Sequence, residues 1–222
     1  MDKKIGILSK PNTSTTISTI KYFQANNKNI DVVICETKNR SKFSLNEKNF
    51  IKNHQKFEKY LRKTDINYLF KKIIQKVKRK FLKQIEIKEL CKKKNICYIE
   101  VEKHSSVETR NKIHELEIDY LFLNASSWLI KGELLDNVNF KIINLHNALL
   151  PNYRGLDAMM YSILDNNKIG LSAHIIDKGI DTGPIVGFKE IERFKRENIF
   201  ELRARLDNYK PIFIYELIDR LN

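Results

Sequence analysis

Five short runs of apolar residues limit what this chain can fold into: Ile5-Gly6-Ile7-Leu8, Asp31-Val32-Val33-Ile34-Cys35, Ile96-Cys97-Tyr98-Ile99, Tyr120-Leu121-Phe122-Leu123 and Ile142-Ile143. A strand that faces water on one side alternates apolar and polar residues, whereas one covered on both sides has no reason to alternate. The runs therefore read as buried strands. The stretches between them carry helical patterns, and Ser105 with Glu108 makes a capping-box start for a helix through Glu115, the kind of crossover that joins parallel strands. A doubly wound α/β protein with a mostly parallel sheet is expected. Two closing helices are expected at Glu197 to Leu206 and Pro211 to Leu221, the second with proline in its first turn.

The net charge of +14 is concentrated. Between Lys48 and Lys94 stand 17 Lys or Arg against 4 Asp or Glu, and the remainder holds 24 against 23. Within that segment Ile66, Leu69, Phe70, Ile73, Ile74, Val77, Phe81 and Leu82 keep helical spacing, with lysines and Arg79 filling the rest of the wheel. The expected organisation is a catalytic core over 1–190, interrupted after the second strand by a basic helical insertion at 46–85, and a C-terminal helical extension over 191–222 packed on the core. A helix packed by its apolar stripe with a solvated lysine face is the plainest reading of the insertion, followed by contact with anionic lipid and then by a nucleic-acid patch. No stretch of 18 apolar residues occurs, and Met1-Asp2-Lys3-Lys4-Ile5 runs straight into a strand pattern, so a soluble cytoplasmic protein is expected. Cys35, Cys91 and Cys97 are odd in number and lack paired metal spacing, which points to reduced thiols.

Chemistry enters at the end of the fifth run. Asn144 and His146 stand two residues apart after Lys141-Ile142-Ile143, so their side chains leave the strand end on one face. In open α/β sheets ligands sit beyond the carboxyl ends of the strands, which is where this pair falls. Asp181 follows on the glycine-bracketed loop Asp177-Lys178-Gly179-Ile180-Asp181-Thr182-Gly183-Pro184. An amide donor, an imidazole and a carboxylate to orient that imidazole suit attack of a nucleophile on a carbonyl, with charge building on its oxygen.

Asn144-Leu145-His146 running into Leu149-Leu150-Pro151-Asn152-Tyr153-Arg154-Gly155, then Gly170-Leu171-Ser172-Ala173-His174 and Asp177 to Ile185, resembles the formyltransferases that use 10-formyltetrahydrofolate. The motif series spans about 124–186. The resemblance implies a Rossmann-like fold, with Asn144 as oxyanion donor, His146 as acid/base and Asp181 as its supporting carboxylate. It places the pterin of the folate against Ser127, Trp128, Leu129 and Ile130, with Asp177, Gly179 and Ile180 forming the opposite wall. Tyr153 and Arg154 would face the acceptor, although Arg154 is equally suited to bracing its loop through carbonyls and Asp157. His174 reads either as a structural imidazole or as a participant. His54, His104 and His114 read as ordinary surface or helix residues.

Departures from the family pattern bear on the acceptor. Members acting on glycinamide ribonucleotide carry a glycine-rich phosphate loop after the first strand, and here that place reads Ser9-Lys10-Pro11-Asn12-Thr13-Ser14-Thr15-Thr16. Members that formylate methionyl-tRNA carry a substantial C-terminal domain, and about 35 residues follow Val186 here. By resemblance and elimination the expected acceptor is a nucleotide-linked amino sugar, as in the sugar N-formyltransferases of polysaccharide biosynthesis. The alternatives are phosphoribosylglycinamide formyl transfer in purine synthesis and a non-catalytic relative that binds membrane or nucleic acid. Dimerisation through the core or the insertion is open at this stage.

Overall fold

A computed structural model describes residues 3–11, 13–37, 86–124, 130–136, 138–194 and 197–221. These belong to the unit formed by Met1–Lys38 and Glu86–Asn222. The basic insertion expected at 46–85 lies outside the described residues, as do Ser127, Trp128 and Leu129.

The five apolar runs are strands β1 (Ile5–Ser9), β2 (Val32–Glu36), β3 (Cys97–Val101), β4 (Tyr120–Leu123) and β5 (Lys141–His146). Two more follow, β6 (Ile169–Ile175) and β7 (Ile185–Ile191). Together they form one sheet in the order β3-β2-β1-β4-β5-β6-β7. The first five are mutually parallel, and β6 and β7 run antiparallel to their neighbours. Adjacent residues serve opposite faces. Ile7, Val33 and Ile143 join one apolar cluster, while Leu8, Ile34 and Ile142 join the other. That division explains the continuous runs of β1, β2, β4 and β5, since both faces need hydrocarbon, whereas β3, expected to be buried, lies at the sheet edge and buries only Val101.

Helix α1 (Ser14–Ala25) buries Thr16, Thr19, Ile20 and Phe23, a single stripe at helical spacing. Helix α2 (Ile87–Lys93) buries Ile87, Leu90 and Cys91 on the same side of the sheet. Helix α3 (Val107–Glu115) covers the other side, and its cap corrects the expectation by one residue. Ser106, not Ser105, accepts from the Thr109 N–H. Ser105 Oγ accepts the Lys131 N–H instead, tying this turn to the segment after β4. Helix α4 (Ala158–Leu164) lies against β6.

The two expected closing helices are one, α5 (Ile199–Leu221), with Pro211 inside it. A proline in a helix interior costs about 3 kcal/mol through its missing N–H and its ring clash. Here the buried stripe of Leu202, Leu206, Phe213, Ile214, Leu217 and Ile218 continues past the proline, so packing against α1 and β7 offsets the local cost. Gly187 permits that approach: a Cβ there would meet Leu217 at 2.7 Å. No helix among the described residues is long and apolar enough to cross a membrane. The three cysteines are free thiols.

Candidate active site

Strand β5 delivers Asn144 and His146 to one face at its carboxyl end, and the antiparallel register sets His174 of β6 opposite Asn144. Asp181 comes from the β6–β7 loop with φ of 51°, in the left-handed region that Asp enters more readily than most residues. Its carboxylate is the hub of the site. Oδ2 lies 3.3 Å from His146 Nδ1 and accepts the Gly155 N–H at 2.9 Å. Oδ1 lies 3.2 Å from His174 Nε2 and accepts from Asn144 Nδ2 at 3.5 Å. The Asn144 amide nitrogen is also 3.1 Å from His174 Nε2. His146 Nε2 is 2.8 Å from the Tyr153 carbonyl oxygen, which must accept from it.

These contacts set the charges. Burial alone would raise the Asp181 carboxyl, but the His174 hydrogen bond, the His146 imidazole and the Gly155 N–H hold it below the usual range. His146 is 8% exposed, and burial pulls its imidazole below its ordinary value although Asp181 and the Tyr153 carbonyl oppose that shift. The net direction is downward and favours the neutral imidazole, the form able to accept a proton. Asn144 is a neutral donor held by two neighbours.

Comparison with known proteins identifies the family. The family model described as formyl transferase matches residues 25–218, most of the chain. The chain belongs to the formyl transferase family. It is 31% identical over 143 residues to a methionyl-tRNA formyltransferase from Thermodesulfovibrio yellowstonii, covering 64% of this chain and 46% of that protein. It thus spans about half the length of that relative. Among solved structures, phosphoribosylglycinamide formyltransferase from Streptococcus pneumoniae aligns with a TM-score of 0.63 at 17% identity, covering 99% of this chain and 98% of that one. A candidate sugar N-formyltransferase from Mycobacterium tuberculosis aligns with a TM-score of 0.55 at 17% identity, covering 98% and 66%. The Rossmann-like α/β fold is shared with these neighbours. Members of the family take their formyl group from 10-formyltetrahydrofolate.

In this member of the formyl transferase family the other residues expected at the site take distinct places. Asp177 builds its own loop: Oδ1 accepts the Gly179 N–H at 3.0 Å and the Thr182 hydroxyl at 2.7 Å. Those bonds, Thr182 first, hold its carboxyl below the usual range. Gly179 is required by the same turn, because a Cβ would sit 1.9 Å from Thr182 Oγ1. Ile180 stands exposed at the tip, beside Asp181. Ile130 is buried with Leu134 in the α3-side cluster, so its main chain is what it offers a ligand.

Tyr153 turns its ring toward the end of α4, where the hydroxyl donates to Asp165 and accepts from Asn167. Its contribution to the site is the carbonyl facing His146. Arg154 is exposed and has no partner among the described residues, while Asp157 pairs with Arg203 of α5 at 2.9 Å. Bracing of the loop through Asp157 therefore runs to α5.

Two histidines take fuller roles than sequence reading gave them. His174 is 3% exposed and joins Asn144 and Asp181 directly. Its signal was a ring with two polar atoms near the end of an apolar strand, where a buried ring needs partners. His104, expected at the surface, is fully buried beside Glu36. It directly follows an exposed stretch, and no local pattern marks it.

Proposed function

We propose that this formyl transferase moves a formyl group from 10-formyltetrahydrofolate to the amine of a nucleotide-linked amino sugar, in the cytoplasm, for polysaccharide biosynthesis. The observation that carries the reading is the Asp181 carboxylate fixing an amide and an imidazole on one strand end. The folate supplies the activated formyl carbon. A bond forms from the acceptor nitrogen to that carbon, the bond from the carbon to the folate nitrogen breaks, and one proton passes from the incoming to the leaving nitrogen.

Each residue has a task in that exchange. With its ring proton on Nδ1 toward Asp181, His146 takes the amine proton at Nε2 once the amine replaces the Tyr153 carbonyl there, and returns it to the leaving nitrogen. Asp181 holds the Nδ1 side of the ring and steadies its charged form. Asn144 donates to the formyl oxygen as charge builds on it, an interaction that gains strength as the reaction proceeds. The Asp177–Thr182 turn and the main chain near Ile130 would hold the flat ring of the folate, with Ile180 over its face.

Support for the acceptor comes from the turn after β1. It contains no glycine over Ser9 to Thr16, so a tight backbone cradle for a terminal phosphate is not built there. The Lys10 carbonyl is instead occupied by the hydroxyls of Ser9 and Thr13. The exposed guanidinium of Arg154, without a partner among the described residues, suits a nucleotide phosphate. The fold shared with a candidate sugar N-formyltransferase is in keeping with this acceptor.

The test is a panel of nucleotide-linked amino sugars incubated with 10-formyltetrahydrofolate, following release of tetrahydrofolate. Turnover of at least one sugar, with glycinamide ribonucleotide slow, is the expected result. Faster turnover of glycinamide ribonucleotide than of every sugar would assign the enzyme to purine synthesis.

A further inference from the structure

Away from Asp181, a second histidine and carboxylate meet at the strand ends. His104, in the turn between β3 and α3, has no exposed surface, and Glu36 closes β2 in the core. His104 Nδ1 lies 3.2 Å from Glu36 Oε2, and the same oxygen accepts the His104 backbone N–H at 3.1 Å. Nε2 is 3.1 Å from the Ile34 carbonyl oxygen. The Ser9 backbone also bonds the ring, and the Lys10 charge acts on it. With both ring nitrogens and the main chain engaged, the imidazole has one orientation.

From Ser9 the polar contacts continue across the sheet. Ser9 Oγ is 2.7 Å from Thr16 Oγ1, and Asn124 at the end of β4 reaches Thr16 and Thr19 with its amide at 3.4 and 3.3 Å. Asn124 Oδ1 is buried with no partner among the described residues. A belt of polar groups thus runs beneath the carboxyl ends of β2, β1 and β4. The crevice of a doubly wound sheet opens between β1 and β4, where successive connections leave in opposite directions. The turn that His104 holds is therefore one lip of that crevice.

We propose that His104, locked by Glu36, is a positioning residue for the acceptor: it fixes the β1–α1 turn, and with it Lys10, at the lip across from the formyl-transfer residues. This rests on the formyl-transfer reading. His104 touches no reacting atom. Its loss weakens acceptor binding and leaves proton transfer at His146 alone. Phe keeps the ring volume and loses both polar contacts, whereas Gln keeps an N–H donor for the Glu36 carboxylate.

The experiment compares the wild-type full-length protein with His104→Phe, His104→Gln and Glu36→Gln. The readouts are kcat, KM for the best acceptor of the panel, KM for 10-formyltetrahydrofolate, and amide hydrogen exchange along residues 9–16. In His104→Phe the acceptor KM is expected to rise about tenfold, with kcat and folate KM within about twofold, one decade being 1.4 kcal/mol of binding. His104→Gln should recover most of that loss, and exchange should quicken over 9–16 while 141–146 stays protected. Parallel changes in kcat and both KM values, or an unchanged acceptor KM, would overturn the proposal. Should the wild type formylate nothing, the activity reading fails by itself, and exchange in the His104→Phe protein still decides whether the latch orders the turn: unchanged exchange over 9–16 refutes it. If His104→Phe does not fold, Glu36→Gln carries the same comparison, with the same outcomes supporting or refuting.

Discussion

A carboxylate shared by two imidazoles and an amide makes the proposed formyl transfer depend on one side chain. Asp181 raises the basicity of His146 against the effect of burial. Asp181→Asn should therefore shift the acidic limb of the kcat profile to lower pH while reducing kcat on the order of a hundredfold, the usual worth of an acid/base group. A limb that moves to higher pH would contradict the charge coupling. His146→Ala should remove the limb altogether. Asn144→Ala should cost about a hundredfold to a thousandfold in kcat with the folate KM little changed, because its amide matters when charge reaches the formyl oxygen. Near-wild-type turnover in either alanine variant would sink the mechanism. His174 belongs with these residues, since its Nε2 faces both the Asn144 amide and Asp181.

At the scale of elements, predictions fall on the cap of α3 and on the β6–β7 contact. Ser106→Ala should lower stability by about 1 kcal/mol, the typical worth of an N-cap side chain, while Ser105→Ala leaves the helix intact. Equal losses in chemical denaturation would contradict the cap assignment. Gly170→Ala places a Cβ 2.2 Å from the Lys189 carbonyl oxygen, a backbone atom that cannot rotate away. It should cost about 1–3 kcal/mol, and no loss in urea midpoint would show that the two strands can part freely. The same elements show what could be read in advance. β1, β2, β4 and β5 were legible because two apolar faces leave an uninterrupted run, and β3 was legible as a strand but not as the exposed edge it forms. The cap was one residue off because adjacent serines offer the same chemistry and only the backbone chooses between them. The break expected at Pro211 did not occur, since the stripe continuing beyond it is a tertiary effect outweighing a local propensity. The meeting of Asn144, His146 and Asp181 was legible by spacing and resemblance. The His104–Glu36 pair was not, because its partners come from β1 and β2, far away in the chain.

For the molecule as a whole, acid is the destabilising direction. His146 and His104 are both held below their ordinary value, burial being the first cause, so the unfolded chain binds their protons more readily. Their stabilising effect is complete above the unfolded imidazole value of about 6.5 and is lost as pH falls through the lower folded values. Asp181, Asp119 and Glu197 are likewise lowered, and add a second loss below about pH 4. Thermal midpoints should be level from about pH 7 to 8 and fall in two steps on acidification. A midpoint that rises between pH 7 and 5 would refute this. The reversal of direction after β5 has a consequence for how the molecule is made. Asp181 meets Asn144 across 37 positions and Gly155 across 26, whereas Asp119 meets Lys4 across 115. Closing a short loop costs less chain entropy than closing a long one, and contacts local in sequence form sooner. The reactive corner can thus take shape within the later part of the chain before β1, with β2 beside it, has found β4 across 115 positions.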